Sequence, residues 1–505
     1  MTGAPREERC DVLVVGSGAG GGAVARRLAP LARAGRRVLV LEQGPRLTPR
    51  DFTGSEVEMP RTLYQDGAGF LTADGAMTLA FGRCYGGSTV VYTGTSLPPP
   101  RRVVERWGVP GLEHDDLLLR TEVFARENGV HLLPPEAINR NNHLFVEGCR
   151  ALGYAAEQFP VNLRGCRGSS LCNLGCPNGA KQGTHEVQLP AAEAAGVEVV
   201  TRAAVRRVVP APGGGVAHVT VSPRPAQGPG TDPEWAPGEY RVHAAHIVSC
   251  GGSVGSAALL LRSGLGRSLP RLGERFTCHP AFILVGEHAH PITNDVGHPK
   301  SFYLDRGEAE GWVLETCMYF PFVTAKNLTG LGADTVDFVE AFPRLQMILV
   351  LACDAAVAGN RVAVNRAGAP VVHYRFTPRV RERLAAATRA AARIFFAAGA
   401  RRVHAPLADP PTLLPGERDV LERRIDARHF LPGRTSVSAA HLMGGCGMGR
   451  GAADSVTDAW GRVHGVPWLR VADISLFPDA LEINPYLTVM ALADRVAEKL
   501  VEALQ

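Results

Sequence analysis

Two hydrophobic patterns follow one another along the chain. Near the N-terminus, a fully apolar run from Val12 to Val15 leads into a glycine-rich turn and a helix-like stretch, and RRVLVLEQG then gives a second apolar run. A continuous apolar run is typical of a strand that is covered on both faces, as the strands of parallel sheets are. The start of the chain is therefore predicted to form a β-α-β unit.

The middle of the chain follows a different pattern. Residues 98–194 are more polar, and short amphipathic stretches such as HDDLLLRTEVFAREN predict small helices in a covering segment. Residues 276–438 contain three longer strand-like runs, HPAFILVGEHAH, FVEAFPRLQMILVLACD and NRVAVNRAGAPVVHYRF, and the amphipathic helix TPRVRERLAAATRAAARIFFAAGA. These runs predict a second domain that consists of an antiparallel sheet and a helix.

The remaining segments return to the first pattern. Residues 195–275 include HAAHIVSCGG, which predicts a buried strand followed by a helix. Residues 439–505 contain a last buried strand in PWLRVADISLFP and a closing helix. A length of 505 residues exceeds what one compact core usually holds, so we expect two domains, interleaved or consecutive.

Composition excludes several classes of function. The chain is 45% hydrophobic and 20% charged, and its net charge of +5 is scattered, so we expect a globular protein with no nucleic-acid partner. No apolar leader follows Met1 and no apolar run reaches about 20 residues, so we expect no membrane span and a cytoplasmic location. The eleven cysteines are too sparse for a disulfide-stapled domain.

Gly16, Gly18 and Gly21 form the pattern G-x-G-x-x-G between the first predicted strand and its helix. Glycine at these positions permits a tight turn, lets the backbone approach a pyrophosphate, and lets the helix pack closely on the strand. Glu42 ends the second strand 21 residues after Gly21 and can accept hydrogen bonds from ribose hydroxyls. Together these residues predict a dinucleotide without a 2′-phosphate, either FAD or NAD.

Four motifs together resemble the glucose-methanol-choline (GMC) oxidoreductases, a family of FAD enzymes. They are DVLVVGSGAGGGAVARRLA with LEQG, then GRCYGGSTVV, then GGSVGSAALLLRSGLG, and finally HLMGGCGMG with the text that follows it. The resemblance implies an α/β fold in which residues 1–97, 195–275 and 439–505 assemble a Rossmann-like FAD-binding domain, the last of them also carrying the catalytic residues. Residues 98–194 would form a covering and flavin-loop segment, and 276–438 the substrate-binding domain with its antiparallel sheet and helix.

The resemblance also implies which residues bind FAD. Beyond the N-terminal turn and Glu42, the expected residues are Gly86, Gly87, Ser88, Val205, Asp473, Asn484 and Pro485. The loop at Gly86 is expected near the pyrophosphate and flavin, Asp473 near the ribityl-diphosphate, and the backbone of Val205 near the adenine. Val91 takes the place of a histidine that carries a covalent flavin bond in some relatives, so we expect FAD to be held noncovalently.

His441, which opens HLMGGC, and Asn484, in INPYLTV, match the two positions where the family places its catalytic pair. A hydride leaves an alcohol carbon favourably only as the hydroxyl proton departs, so the site needs a base and a donor for the developing alkoxide. We expect His441 to accept the proton, Asn484 to hydrogen-bond the substrate oxygen, and flavin N5 to take the hydride. Other histidines are interpreted as structural: His185, His243, His246, His279, His288, His373, His404 and His464.

Cys166, Cys172 and Cys176 have the spacing C-x5-C-x3-C. Three thiolates could ligate an iron-sulfur cluster, as in certain sugar dehydrogenases of the family. A similar stretch also occurs without a cluster in relatives that resemble long-chain alcohol oxidases. We therefore favour a structural loop and expect no metal site.

The predicted activity is oxidation of a primary or secondary alcohol, a small molecule, at its CH–OH group. Oxygen, a quinone or an electron-transfer protein would be the final acceptor, and the sequence does not choose among them. One alternative is a dehydrogenase that passes electrons through a cluster at the three cysteines to a quinone or protein. The other is a non-redox flavin lyase or isomerase, which would share every nucleotide-binding motif.

Overall fold

The computed structural model of the chain describes residues 4–292, 295–328, 333–405 and 411–505. The strands are β1 (Arg6–Val15), β2 (Val38–Leu41), β3 (Met77–Leu79), β4 (Val130–Leu132), β5 (Glu157–Gln158), β6 (Pro160–Asn162), β7 (Glu198–Val200), β8 (Ala203–Ala211), β9 (Gly214–Val221), β10 (Gly238–Ser249), β11 (Thr277–Cys278), β12 (Ala281–Glu287), β13 (Phe302–Arg306), β14 (Trp312–Thr316), β15 (Leu345–Ala352), β16 (Arg361–Val364), β17 (Pro370–His373), β18 (Arg402–His404), β19 (Thr412–Leu413), β20 (Val437–Ala439), β21 (Leu442–Met443) and β22 (Leu469–Val471).

The α-helices connect these strands or cover the sheets that they form. They are α1 (Ala19–Arg33), α2 (Glu58–Leu63), α3 (Arg101–Trp107), α4 (His114–Glu127), α5 (Arg140–Ala151), α6 (Gln188–Glu193), α7 (Gly252–Arg262), α8 (Pro321–Asn327), α9 (Ala333–Glu340), α10 (Pro378–Ala397), α11 (Leu421–Arg424) and α12 (Tyr486–Leu504). None of the helices in the described part of the chain combines the length and apolarity needed to cross a membrane.

One sheet is assembled from distant parts of the chain. β7, β2, β1 and β10 lie side by side in parallel, and the C-terminal end of β10 pairs in parallel with β22. The other end of β10 pairs antiparallel with β9, which in turn pairs with β8. Val12, Leu13 and Val14 in β1 are fully buried, as an apolar run between two layers of structure requires. The predicted Rossmann-like fold built from separated segments is confirmed.

The second large sheet contains the antiparallel series β12, β15, β14 and β13. Helix α10 packs against this series, and the Thr377 hydroxyl caps it by accepting a hydrogen bond from the Val380 amide at 3.2 Å. The apolar residues of α10 lie at helical spacing and are buried, for example Leu384, Ala391 and Phe395. The predicted antiparallel sheet with a helix is therefore present.

Two of the predicted strand-like runs differ from the structure. The first three residues of FVEAFPRLQMILVLACD belong to helix α9, and only Leu345–Ala352 forms a strand. Pro343 separates the two, because proline cannot donate a backbone hydrogen bond to either element. NRVAVNRAGAPVVHYRF forms the hairpin β16–β17, a two-stranded sheet of its own, because Asn365 and Gly368 make the turn between the strands.

Candidate active site

The predicted glycine turn lies between β1 and α1, and its backbone leaves no room for side chains. Gly16 has φ of +101°, and a Cβ added there would lie 2.5 Å from the carbonyl oxygen of Cys250. A Cβ on Gly21 would lie 1.9 Å from the Gly16 oxygen, so this glycine permits the close packing of helix on strand. Gly18 is the N-cap of α1 and has no side chain with which to cap it, so the first amides of the helix can bind an anion.

Glu42 is buried at the end of β2, beside this turn. Its carboxylate accepts hydrogen bonds from the Ser17 amide at 3.0 Å, the Ser17 hydroxyl at 2.7 Å and the Gly44 amide at 2.8 Å. Burial raises the pKa of Glu42, and these three donors act against that shift. A carboxylate has about four acceptor positions, so one remains for a ribose hydroxyl.

The second predicted loop lies directly against the first. The Gly86 amide donates to the Ser17 hydroxyl at 3.0 Å, and a Cβ on Gly87 would lie 2.8 Å from the Cα of Gly18. The Ser88 hydroxyl accepts from the Gly82 amide at 2.9 Å. Two glycine-rich backbones thus pack directly against each other, and their amides can bind a diphosphate that lies beside both.

Asp473 is buried where β22 ends and organises a third glycine-rich turn. Its carboxylate accepts from the Gly252 amide at 2.8 Å, the Ser256 hydroxyl at 2.5 Å and the Ser475 amide at 2.8 Å. Burial raises the pKa of this carboxyl, and the donors oppose the shift. Asp473 therefore holds the N-terminus of α7 against the loop after β22.

These turns border a cavity of about 460 Å³, called here the main cavity. Val205 of β8 lines it near Glu42, and Asn484 and Pro485 line it near His441. The predicted residues on its wall are Gly16, Gly18, Glu42, Gly87, Ser88, Val205, His441, Asp473, Asn484 and Pro485. Gly21 and Gly86 stand behind the wall, where they allow close packing on Gly16 and on His185 respectively.

His441 and Asn484 lie together at one end of the main cavity. The Asn484 Nδ2 atom is 3.3 Å from the His441 Nε2 atom, and Pro485 is the N-cap of helix α12. Burial, together with the positive charge of Lys300, lowers the pKa of His441 to about 3. The imidazole is therefore neutral near pH 7, as a proton acceptor must be.

His279 lies against the pair formed by His441 and Asn484, whereas the sequence predicted a structural histidine at this position. Its Nδ1 atom is 3.0 Å from the His441 Nδ1 atom, and the two rings are nearly perpendicular at 86°. Lys300 and Glu315 form a buried ion pair nearby, in which the ammonium group donates to the carboxylate. His279, Lys300 and Glu315 were therefore not predicted from the sequence as part of this site.

Comparisons with known proteins place this geometry in a family. Profiles described as GMC oxidoreductase match residues 61–281 and 357–493, and an NAD(P)-binding Rossmann-like domain profile matches residues 14–72. An uncharacterized GMC-type oxidoreductase of Mycobacterium tuberculosis is 35% identical over 507 residues, covering 98% of this chain and 76% of that protein. The chain belongs to the GMC oxidoreductase family.

Two further relatives of this GMC oxidoreductase are informative. A long-chain-alcohol oxidase of Arabidopsis thaliana, FAO4B, is 28% identical over 542 residues, covering 98% of this chain and 68% of that protein. The crystal structure of pyridoxine 4-oxidase from "Mesorbium loti" superposes with a TM-score of 0.71 at 19% identity, covering 98% of this chain and 99% of that one. This superposition shows that the chain has the same fold as pyridoxine 4-oxidase.

Membership of the family implies FAD, and the main cavity fits it. A dinucleotide needs an uncapped helix N-terminus, a second backbone that approaches without side chains and an acidic acceptor near the adenosine. The chain offers these at Gly18, at Gly87 and at Glu42. The cavity then continues to His441 and Asn484, so a flavin has room beyond the diphosphate.

The three clustered cysteines of this GMC oxidoreductase differ in their exposure to solvent. Cys166 is exposed, Cys172 is buried and Cys176 is half-buried, and all three are free thiols. Among the described residues, no group of three or more His, Cys, Asp or Glu side chains is placed to hold a metal ion. Lys181 instead secures this loop, because its ammonium donates to the carbonyl oxygens of Cys172 and of Tyr92, the latter at 2.7 Å.

Several residues of the site were missed from the sequence. Gly20 lines the main cavity, and a Cβ there would lie 2.1 Å from the Ala472 oxygen. Ser17 lies within the glycine-rich motif GSGAGG, and Gly252 lies within GGSVGS. Their positions in these turns were therefore a signal in the sequence that they belong to the site. His279 gave no such signal, because only the pairing of distant strands brings it to His441.

Proposed function

We propose that this GMC oxidoreductase oxidises a primary or secondary alcohol to the carbonyl compound with noncovalently held FAD. The observation that carries the proposal is the convergence of His441 and Asn484 at the end of a cavity that begins at the glycine turn. A base and a neutral donor side by side are what removal of a hydroxyl proton requires. A non-redox lyase that removes a hydroxyl proton could use the same pair, so bleaching of the flavin by an alcohol is the result that separates the two activities.

His441 acts as the base in this mechanism. Its Nε2 faces Asn484 and the cavity, and its low pKa keeps that nitrogen unprotonated in the resting enzyme. The amide Nδ2 of Asn484 donates a hydrogen bond to the substrate oxygen and orients it toward His441 Nε2. When bound, FAD supplies the two-electron acceptor of the reaction.

The remaining residues hold the cofactor. We infer that Gly16, Gly18 and Gly87 admit the diphosphate and that the free acceptor position of Glu42 binds the ribose. The Asp473 carboxylate keeps the α7 turn in place beside them. The Val205 backbone borders the adenine end of the cavity.

Val91 supports noncovalent attachment. Its side chain is buried and lines the main cavity, and an aliphatic group cannot bond to the flavin. We expect trichloroacetic acid to precipitate a colourless protein and leave all the flavin in the supernatant. Yellow colour that stays with the precipitate would contradict this part of the proposal.

The substrate is proposed to have an apolar body. The antiparallel sheet contributes Ala281, Leu349 and Leu351 to the cavity wall, and the loop after β14 contributes Met318. An apolar wall stabilises aliphatic or aromatic groups and offers few hydrogen bonds to a sugar. The relative named as a long-chain-alcohol oxidase supports the same choice.

Anaerobic flavin bleaching tests the activity. The purified holoenzyme would be mixed with 1-butanol, 1-octanol, 1-dodecanol, 2-octanol, benzyl alcohol and glucose, and the loss of yellow absorbance followed. We expect the longer apolar alcohols to bleach the flavin and glucose to leave it unchanged. Admitting air afterwards identifies an oxidase if the colour returns, whereas an added quinone restores it in a dehydrogenase.

Two substitutions test the assigned roles. His441→Ala should slow bleaching by about 10²- to 10⁴-fold, since it removes the general base. Asn484→Ala should slow it by about 10²-fold, since it removes the donor to the substrate oxygen. His464→Ala is the matched control, because His464 belongs to the same C-terminal segment but bonds to Ser455 outside the cavity. Normal bleaching by His441→Ala would refute the assignment of the base.

A further inference from the structure

The contact between His279 and His441 is fixed by strand register. β11 and β21 pair antiparallel with Cys278 opposite Leu442, so the next position along the ladder places His279 opposite His441. The 3.0 Å separation of the two Nδ1 atoms is a hydrogen-bond distance, and it requires one ring to donate and the other to accept. The two imidazoles must therefore have complementary tautomers.

The catalytic requirement selects which ring donates. If His441 Nε2 is to accept a proton from the alcohol, the neutral ring carries its own proton on Nδ1. His279 then accepts at its Nδ1 and carries its proton on Nε2. Burial, with a smaller contribution from His441, lowers the pKa of His279 to about 3, so both rings are neutral in the resting enzyme.

A second, small cavity borders the same pair of histidines. It has a volume of about 10 Å³, room for roughly one water molecule, and both histidines line it. His279 is 3% exposed, and its Nε2 has no hydrogen-bond partner among the described residues. Three carboxylate side chains share the same wall: Asp305, Glu315 and Glu482. His279 and the three acids thus border a common space.

We propose that His279 relays the substrate proton from His441 to the carboxylates of the small cavity. The proposal rests on the proposed function, because it takes His441 as the base. One proton enters at His441 Nε2, the Nδ1 proton of His441 passes to His279 Nδ1, and the Nε2 proton of His279 passes to a carboxylate. One proton enters and one leaves, with no change of oxidation state, and the reverse passage restores both tautomers.

The charges around His279 identify the exit. Glu315 is paired with Lys300, and Glu482 is paired with Arg102 and Arg106, so these two acids are neutralised by cations. Asp305 is exposed to solvent, and partial burial raises the pKa of its carboxyl against the opposing effects of the Gly307 amide and of Arg102. An acid with a raised pKa that also contacts solvent accepts a proton and passes it on most readily.

Nitrogen NMR of the holoenzyme labelled with [15N]histidine tests the resting state without any substrate. We expect His441 to be protonated on Nδ1 and His279 on Nε2, with signals assigned from single-site variants. His279→Leu removes the acceptor and should shift His441 toward the Nε2-protonated form. His279→Asn offers Oδ1 as an acceptor and should preserve the wild-type tautomer. A His441 that is already protonated on Nε2 in the wild type would overturn the proposal.

Proton release tests the relay itself. In weakly buffered anaerobic solution, a pH indicator is followed together with flavin bleaching by 1-octanol or by the most effective alcohol of the panel. The wild type should release its proton with the bleaching, whereas His279→Asn should release it about tenfold later or more, since an amide cannot pass a proton on. Asp305→Asn should show the same delay and leaves the two imidazoles untouched.

The control is His288→Asn, which changes another buried histidine at the opposite end of β12, bonded to Gln346 outside both cavities. It should release its proton with the bleaching. Simultaneous release and bleaching in both His279→Asn and Asp305→Asn would overturn the relay. If no alcohol bleaches the flavin, the proposed function fails, and the tautomers seen by NMR still decide whether His279 accepts from His441.

Discussion

A single hydroxyl group joins the two glycine turns that border the main cavity. The Ser17 hydroxyl donates to Glu42 at 2.7 Å and accepts from the Gly86 amide at 3.0 Å, and Ser17 is fully buried. The two turns are 69 residues apart in sequence, so this bridge holds together the two backbones beside which the diphosphate is expected. A buried hydroxyl that satisfies both a carboxylate and an amide contributes more than an isolated hydrogen bond.

We therefore expect Ser17→Ala to destabilise the protein and weaken its hold on FAD. Loss of the hydroxyl leaves the buried Gly86 amide without its acceptor, a cost of about 1–3 kcal/mol. The measurements are urea unfolding and the flavin retained after gel filtration. Ser268→Ala, an exposed serine bonded to Leu265, is the control and should behave like the wild type. Full flavin retention by Ser17→Ala would show that the two turns need no bridge.

The predictable part of the site is the part encoded by local spacing. Gly16, Gly18 and Gly21 act within one turn, so their pattern alone indicates a close backbone approach. His441 and Asn484 were expected from motifs around them, and the structure does bring them together. His279 could not be predicted, because the register of β11 on β21 sets its position and a strand of two residues leaves no periodic pattern.

Helix α12 begins directly after Asn484 and Pro485, which line the main cavity. The carboxylate of Asp494, at the middle of the helix, holds α12 in place. Asp494 is buried and accepts from Arg26 at 3.4 Å and from Arg27 at 2.8 Å on α1, and from Arg120 at 2.6 Å on α4. One carboxylate thus joins three helices. The amphipathic pattern of the sequence predicted the helix, but it gave no indication of this shared acid.

Asp494→Asn should destabilise the protein by about 2–4 kcal/mol, because it leaves three guanidinium groups around a neutral amide. The expected loss of stability is smaller than that from breaking a fully buried ion pair, because the three arginines are partly exposed to solvent. Urea unfolding measures the effect. Asp115→Asn, at an exposed acid on α4 paired with Arg101, is the control and should change little. Equal stability of both variants would exclude the junction as a stabilising feature.

Local patterns failed most clearly where one apolar run holds two elements. FVEAFPRLQMILVLACD reads as one strand by composition, yet its start completes helix α9, in which Phe338 is buried against the ring of His404. Short apolar stretches do not distinguish a helix from a strand when tertiary contacts bury either one. The runs from Val12 to Val15 and from Val38 to Leu41 were predictable because they are wholly apolar, whereas the polar first half of β1, from Arg6, was not.

At the scale of the whole molecule, several buried histidines make stability depend on pH. Burial lowers the pKa of His185, His279 and His441 to about 3 and that of His298 and His404 to about 4. Between these values and the ordinary pKa of about 6.5, the unfolded chain binds more protons than the folded one. Their contribution to stability is therefore complete above pH 6.5 and is lost as the pH falls, down to about 4 for His298 and His404 and to about 3 for the other three. Asp354 acts in the opposite direction, because burial raises its pKa to about 6.

Because carboxyl groups oppose the histidines, one histidine is best tested by difference. His404 lies in β18, outside both cavities, and packs against Phe338. When the pH falls from 7 to 5, His404 should lower the free energy of unfolding by about 2 kcal/mol, since its pKa is about 4 in the folded protein and about 6.5 in the unfolded chain. His404→Leu should therefore lose about 2 kcal/mol less than the wild type over that interval, as measured by urea unfolding at both values. The same change at the exposed His131 is the control, and an unaltered pH dependence in His404→Leu would show that folding does not shift the pKa of His404.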